Sequence, residues 1–310
     1  MGPRPSKAGT TEITVPAAEI LLVPLIDVNW LVYAPFDPAR GYRVDPPNVA
    51  KSIGETRSLC RRLREQTGGR YILTPHSGTY CRSEYYEGEM LEVYREAVED
   101  GGELCVHLHE EIKGAGTRYG EPDHMAAMVV ECKDRLEAVG IFPVAYRGGH
   151  YAYAPFMNRL LERNQIFIDC SCAPGMNHPD REAIWTEAKL SGYYLPENPR
   201  TPCTGQVRSK VFEIPIGSDG AGSAYANMLH VEQSDLENLK RIWEAIRERA
   251  RKTDRPQIVH SLFHTGSMGQ KELAERFLRF LEFVPENGGA FITTVAAKAF
   301  YDHAAVGAQM

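Results

Sequence analysis

The chain has no paired-cysteine motif. Its seven cysteines, at 60, 81, 105, 132, 170, 172 and 203, are scattered, and no Cys-x-x-Cys occurs. That excludes a zinc ribbon and a thioredoxin-type redox pair, and points to buried thiols in a reducing compartment. A basic block is also missing. The 35 Lys and Arg stand against 41 Asp and Glu, a net charge of -6, so nucleic acid is not the expected partner. No apolar run is long enough to span a bilayer, and no membrane partner is expected. Residues 1–17, rich in Gly, Pro, Ser and Thr, lack the apolar core of a signal peptide and read as a flexible tail. A cytoplasmic location follows as an expectation. There is no internal repeat, no Gly-x-Gly-x-x-Gly after the first strand, and no Gly-Lys-Ser/Thr closing the glycine-rich stretch at 217–223.

What is present is alternation. Short apolar runs at 19–27, 71–74, 104–109, 141–146, 166–170, 211–215, 257–263 and 291–294 read as strands, the first of them buried on both faces. Between most of them lie helical patterns, at 48–64, 83–100, 123–139, 154–163, 234–251 and 271–283, with a last one at 295–301. The one at 234–251 opens on Ser234-Asp235-Leu236-Glu237, a capping-box pattern. Strands alternating with helices imply an α/β fold with a parallel sheet. Seven or eight units over 310 residues fit a (β/α) barrel, with a doubly wound open sheet as runner-up. One domain is expected over 18–303, followed by a tail at 304–310. An excursion at about 173–208 carries five prolines with Trp185, Tyr193 and Tyr194, and can close over a pocket.

The polar residues fall in a pattern. On the third strand, Cys105-Val106-His107-Leu108-His109 places two imidazoles on one face, because strand side chains alternate. Two such imidazoles can converge on one metal ion. Asp27, His76, His107 with His109, Arg147, Asp169 and His264 all lie at or just beyond the C-terminal ends of strands. In a parallel barrel those ends share one rim, where an active site belongs. Two His and a carboxylate make a three-ligand site with room for water. Asp27 can take a proton, Arg147 can hold that carboxylate ionised, and His264 can protonate a leaving group. The reaction class is metal-assisted hydrolysis of an amide or ester. Asp169 reads as a cap for the helix that follows, His260 as a structural residue inside its strand, and His76 and His150 as pocket lining.

Five segments carry a family likeness: Leu25-Ile26-Asp27-Val28-Asn29, Gly101 to His109, Tyr146-Arg147-Gly148-Gly149-His150-Tyr151, Ile168-Asp169-Cys170-Ser171, and Leu262-Phe263-His264-Thr265. Together they resemble the polysaccharide deacetylase superfamily (NodB-homology, carbohydrate esterase family 4), in the branch with His-Leu-His in place of His-x-x-x-His. The resemblance implies a distorted (β/α)7 TIM-like barrel and a divalent metal ion, often zinc, held by one carboxylate and two His. It implies Asp27 as general base, Arg147 as its tether, His264 as general acid and His107 as first metal ligand. The second ligand is His109 or Glu111, with His109 favoured. The second acidic residue usual in the family falls here on Asn29, a weaker amide ligand, or else Asp27 binds the metal itself. His76, His150 and Tyr151 border the substrate. The implied activity is removal of an N-acetyl or similar acyl group from a small amino sugar or natural-product intermediate. A cyclic-amide hydrolase of the same fold and a non-catalytic carbohydrate-binding relative with a decayed metal site are the alternatives. A homo-oligomer is left open.

Overall fold

The computed structural model describes residues 18–29, 49–77, 85–112, 116–202 and 208–307. The tail expected at 1–17, the opening of the first predicted helix at 48, and residues 203–207 of the excursion lie outside these. Thirteen strands and seven α-helices follow in order: β1 (Ile20–Val28), α1 (Val49–Thr67), β2 (Ile72–Pro75), α2 (Gly88–Glu99), β3 (Glu103–Leu108), β4 (Glu111–Ile112), β5 (Gly116–Thr117), α3 (Pro122–Glu137), β6 (Ala145–Gly148), α4 (Met157–Arg163), β7 (Ile168–Asp169), β8 (Asn177–His178), β9 (Ala183–Ile184), β10 (Tyr193–Pro196), β11 (Arg208–Glu213), α5 (Leu236–Thr253), β12 (Gln257–His264), α6 (Lys271–Glu286), β13 (Gly289–Phe291) and α7 (Thr294–Gly307). Among the described residues, no helix is long and apolar enough to cross a membrane.

Seven of these strands form a curled parallel sheet in the order β11-β7-β6-β3-β2-β1-β12. β1 is buried along its whole length, as its unbroken apolar run requires. It pairs with β12 over eight residues. On its other side it pairs with β13 through Ile20–Leu22 and with β2 through Leu25–Val28. Pro24, which has no N–H to donate, falls in the gap between those two neighbours. Residues 214–217, just after β11, bridge the remaining seam. Ile216 lies beside His260 of β12, Gly217 N–H donates to the His260 carbonyl at 2.8 Å, and Ile216 N–H donates to the Cys172 carbonyl at 2.9 Å. The architecture is the distorted (β/α) barrel expected from the sequence.

Helices cover the outside through apolar stripes at three- and four-residue spacing. α5 buries Leu239, Ile242, Trp243, Ile246 and Ala250, and α6 buries Phe277, Phe280, Leu281 and Val284. Burying one such large side chain contributes about 1.5–3 kcal/mol. The capping box is displaced by one residue: Asp235, not Ser234, is the N-cap, accepting the Asn238 N–H at 2.8 Å. α7 runs to Gly307, into the stretch expected to be a tail.

The described part of the excursion carries regular structure. It contains the β8–β9 hairpin and β10, which pairs antiparallel with β11. Trp185 is buried, and its indole N–H donates to the Tyr151 carbonyl at 2.8 Å.

Candidate active site

Three rows of side chains, each running across adjacent strands in register, build the site. One row is Thr74, Asp27 and His264 on β2, β1 and β12. The next is His76, His107 and Arg147, after β2 and on β3 and β6. The third is Tyr146, Asp169 and Glu213 on β6, β7 and β11. Neighbouring strands lie about 4.8 Å apart, so each row holds its members at contact distance.

The second row carries the imidazoles. His107 is fully buried, and its Nδ1–H donates to the Arg147 carbonyl at 3.0 Å. The lone pair therefore resides on Nε2, which is buried and has no hydrogen-bond partner among the described residues. Burial brings the His107 pKa down to about 3, so the ring is neutral, as a ligand must be. Burial likewise holds His76 well below its ordinary value. Ligand nitrogens of His76, His107 and His109 all lie within 4.8 Å of one another. A buried, neutral imidazole nitrogen with no partner, facing two more imidazoles, is what a divalent metal ion requires. His76 was expected only to border the pocket, and it lies inside this group.

His109 is oriented from behind. Its Nδ1 lies 3.1 Å from Glu111 Oε1, which also accepts the Tyr119 hydroxyl at 2.6 Å and faces His150 Nε2 at 3.1 Å. His109 and His150 hold the Glu111 carboxyl well below the usual range against the effect of its burial. A carboxylate behind an imidazole fixes the ring's tautomer and raises its basicity. Glycine makes the packing possible here. A Cβ on Gly149 would lie 2.5 Å from the Tyr119 hydroxyl and 2.6 Å from the His109 ring. The next two residues, His150 and Tyr151, take left-handed backbone angles with φ of 51° and 63°, a strained arrangement of the kind found around functional sites.

Asp27 is held on both oxygens. Oδ1 accepts from Thr74 Oγ1 at 2.5 Å and from Arg147 Nε at 3.0 Å, while Oδ2 lies 3.7 Å from His107 Nε2 and 3.4 Å from His264 Nε2. Burial disfavours its charge, but Arg147 and His264 outweigh that, and the carboxyl stays ionised well below its ordinary value. Arg147 is fixed in turn by its Nη1–H on the Cys170 carbonyl at 2.9 Å and lies over the Tyr151 ring at 5.0 Å.

His264 stands between two carboxylates. Its Nδ1 lies 3.1 Å from Glu232 Oε1. Burial opposes its protonation, yet Glu232 and Asp27 push the pKa up to about 10. Glu232 is itself brought down to about 2, against its burial, by His264 and His230. His230 Nδ1 is 3.2 Å from Glu232 Oε2, and its ring stacks on His264 at 5.7 Å. Sequence reasoning passed over Glu232. Only its nearness to His230 in the chain could have drawn attention to it.

One expectation is corrected, that for Asp169. It does not cap a helix: it is fully buried, with Oδ1 accepting from Ser171 Oγ at 2.6 Å. Asn29, expected as a weaker amide ligand, keeps its side-chain Oδ1 buried and without a hydrogen-bond partner among the described residues. Its main chain is tied to Thr265, donating N–H to Oγ1 at 2.9 Å and accepting from the same hydroxyl at 2.8 Å. It straps β1 to the turn after β12. His260 is fully buried inside β12, as a structural residue.

No protein-family model matches the sequence, and comparison with curated proteins gives no match. Solved structures do match in fold. A protein assigned as a polysaccharide deacetylase from Mycobacterium smegmatis aligns with a TM-score of 0.61 at 17% identity, over 94% of this chain and 93% of that one. Puue allantoinase aligns with a TM-score of 0.57 at 16% identity, over 93% and 92%. A protein assigned as a polysaccharide deacetylase from Pseudomonas aeruginosa PAO1 gives 0.57 at 16%, over 92% of each chain. The chain thus has the NodB-type barrel fold that these polysaccharide deacetylases share with allantoinase.

Proposed function

We propose that this protein is a metal-dependent amide hydrolase of the deacetylase type, acting on a small N-acylated, sugar-like substrate. The observation that carries the reading is the orphaned Nε2 of His107, buried beside Asp27 and grouped with His76 and His109. Those three histidines would hold the ion, zinc being the natural choice for a nitrogen donor set. A bound divalent cation would polarise the scissile carbonyl and ease deprotonation of water. Asp27, ionised and pinned by Arg147 and Thr74, accepts the proton of the attacking water on Oδ2. His264 enters the reaction protonated, with Nε2 toward Asp27, and donates to the departing nitrogen. Glu232 holds that imidazolium in place. Tyr151, under Arg147, borders the substrate.

A second reading, opening of a cyclic amide, uses the same groups and is favoured by the fold shared with allantoinase. One experiment serves both. Protein purified without chelator is assayed for metal by elemental analysis, then offered N-acetylated amino sugars and cyclic ureides. About one equivalent of divalent metal with release of acetate supports the deacetylase, and ring opening supports the alternative. No metal uptake on reconstitution sinks both.

A further inference from the structure

Next to the Cys170 carbonyl that holds Arg147, two carboxyl groups lie side by side that the chemistry above does not use. Asp169 and Glu213 are in-register neighbours on β7 and β11, both fully buried. One oxygen of each is satisfied: Asp169 Oδ1 by the Ser171 hydroxyl at 2.6 Å, Glu213 Oε1 by the Cys172 N–H at 3.0 Å. The other oxygen of each, Asp169 Oδ2 and Glu213 Oε2, is buried and has no hydrogen-bond partner among the described residues. Two adjacent buried carboxylates cannot both be ionised without a counter-ion on each. The two side chains are within hydrogen-bond reach of one another. One proton placed between the orphaned oxygens satisfies both and removes one charge.

We propose that Asp169 and Glu213 share a single proton, and that this carboxyl pair is a positioning clasp for Arg147. The pair holds the segment after β7, Asp169 through the Ser171 hydroxyl and Glu213 through the Cys172 N–H. The Cys170 carbonyl, one residue before these contacts, accepts from Arg147 Nη1, and the Ser171 hydroxyl accepts the Gly148 N–H at 2.8 Å. The Arg147 guanidinium also lowers the Glu213 pKa electrostatically, so the pair's remaining negative charge acts on that cation. When Asp27 takes up a proton, Arg147 keeps one counter-charge and stays in place. The other titratable groups facing the pair are Tyr146, Tyr153, Cys105 and Cys170, which burial pushes up and keeps neutral, so Arg147 is its one facing cation among the described residues. Burial raises both carboxyls, Asp169 and Glu213. The folded chain therefore holds a proton that the unfolded chain releases above about pH 4. The stability this proton supplies is full below that pH and is lost as pH rises through the pair's folded-state value.

The proposal rests on this chain alone and not on bound metal, so its test uses the protein as purified. Infrared spectroscopy at neutral pH should show the carbonyl stretch of a protonated carboxyl, lost at alkaline pH and absent from both Glu213→Gln and Asp169→Asn. The Arg147 Nε–H resonance, assigned by its loss in Arg147→Lys, should exchange slowly in wild type and in Glu213→Gln, whose amide still donates to Asp169. In Glu213→Ala it should exchange at least about tenfold faster. A wild-type spectrum with no protonated carboxyl at neutral pH, a band that survives in both variants, or Arg147 exchange unchanged in Glu213→Ala would each overturn the proposal. The wild-type pH titration decides the first point even if a variant fails to fold.

Discussion

Glu232 Oε1 accepts two hydrogen bonds from one residue, the main-chain N–H of His264 at 2.7 Å and its ring Nδ1–H at 3.1 Å. The double grip sets the ring's rotamer as well as its charge, and leaves Nε2 facing Asp27 at 3.4 Å.

Glu232→Gln should therefore bring the His264 pKa down from about 10 toward the ordinary histidine value. A raised folded-state value stabilises fully below the unfolded value, about 6.5, and that stability is lost as pH rises through about 10. Wild type should lose this part of its stability between those limits, and the variant should not. Titration of the His264 ring resonance, with thermal unfolding from pH 6 to 10, checks both statements. A His264 value unchanged in the variant would contradict the assignment.

Asp27→Asn removes the counter-ion of buried Arg147 and should cost about 3–5 kcal/mol of stability. Metal should still bind, because the three histidines remain, while hydrolysis should fall by at least about a hundredfold. Denaturant unfolding and metal content, measured together, separate loss of fold from loss of chemistry.

Glu111→Gln should weaken metal binding by about 10- to 100-fold without abolishing it, since the carboxylate orients His109 from behind. Competition against a chromophoric chelator gives the number. His107→Ala, by contrast, should leave no bound ion.

Gly149→Ala places a methyl group into the Tyr119 hydroxyl and the His109 ring. Overpacking of this kind costs about 1–3 kcal/mol, and the displaced His109 should lower metal affinity as well. Calorimetric melting with and without zinc would show both effects. A melting temperature equal to wild type in both states would mean that the backbone turn at 149–151 yields freely.

The barrel and its rim were legible because both rest on local pattern. The apolar run of β1, the alternation of His107 and His109, and the strand-end positions of Asp27, Arg147 and His264 are visible from a few adjacent residues. The partners of those residues were not. Glu232 meets His264 across 32 residues, and Glu213 meets Asp169 only because β11 and β7 pair in register. His76 was read as a border residue for the same reason, since its bridge to His107 is a fact of sheet registry and not of spacing along the chain. Asp169 was misread because a carboxylate at a strand end fits a helix cap equally well until its burial is known.

The pairing of β1 with β12 has a consequence in time. Asp27 and His264 are register partners 237 residues apart in the chain. A chain emerging from the ribosome at ~5–20 residues per second makes Asp27 long before its partner strand exists. Until β12 and β13 arrive, β1 has only β2 beside it and Asp27 lacks His264. The three histidines, by contrast, fall between 76 and 109 and can come together early. On the proposed function, ion capture precedes catalytic competence, which waits for the late, long-range contact that brings His264 to Asp27.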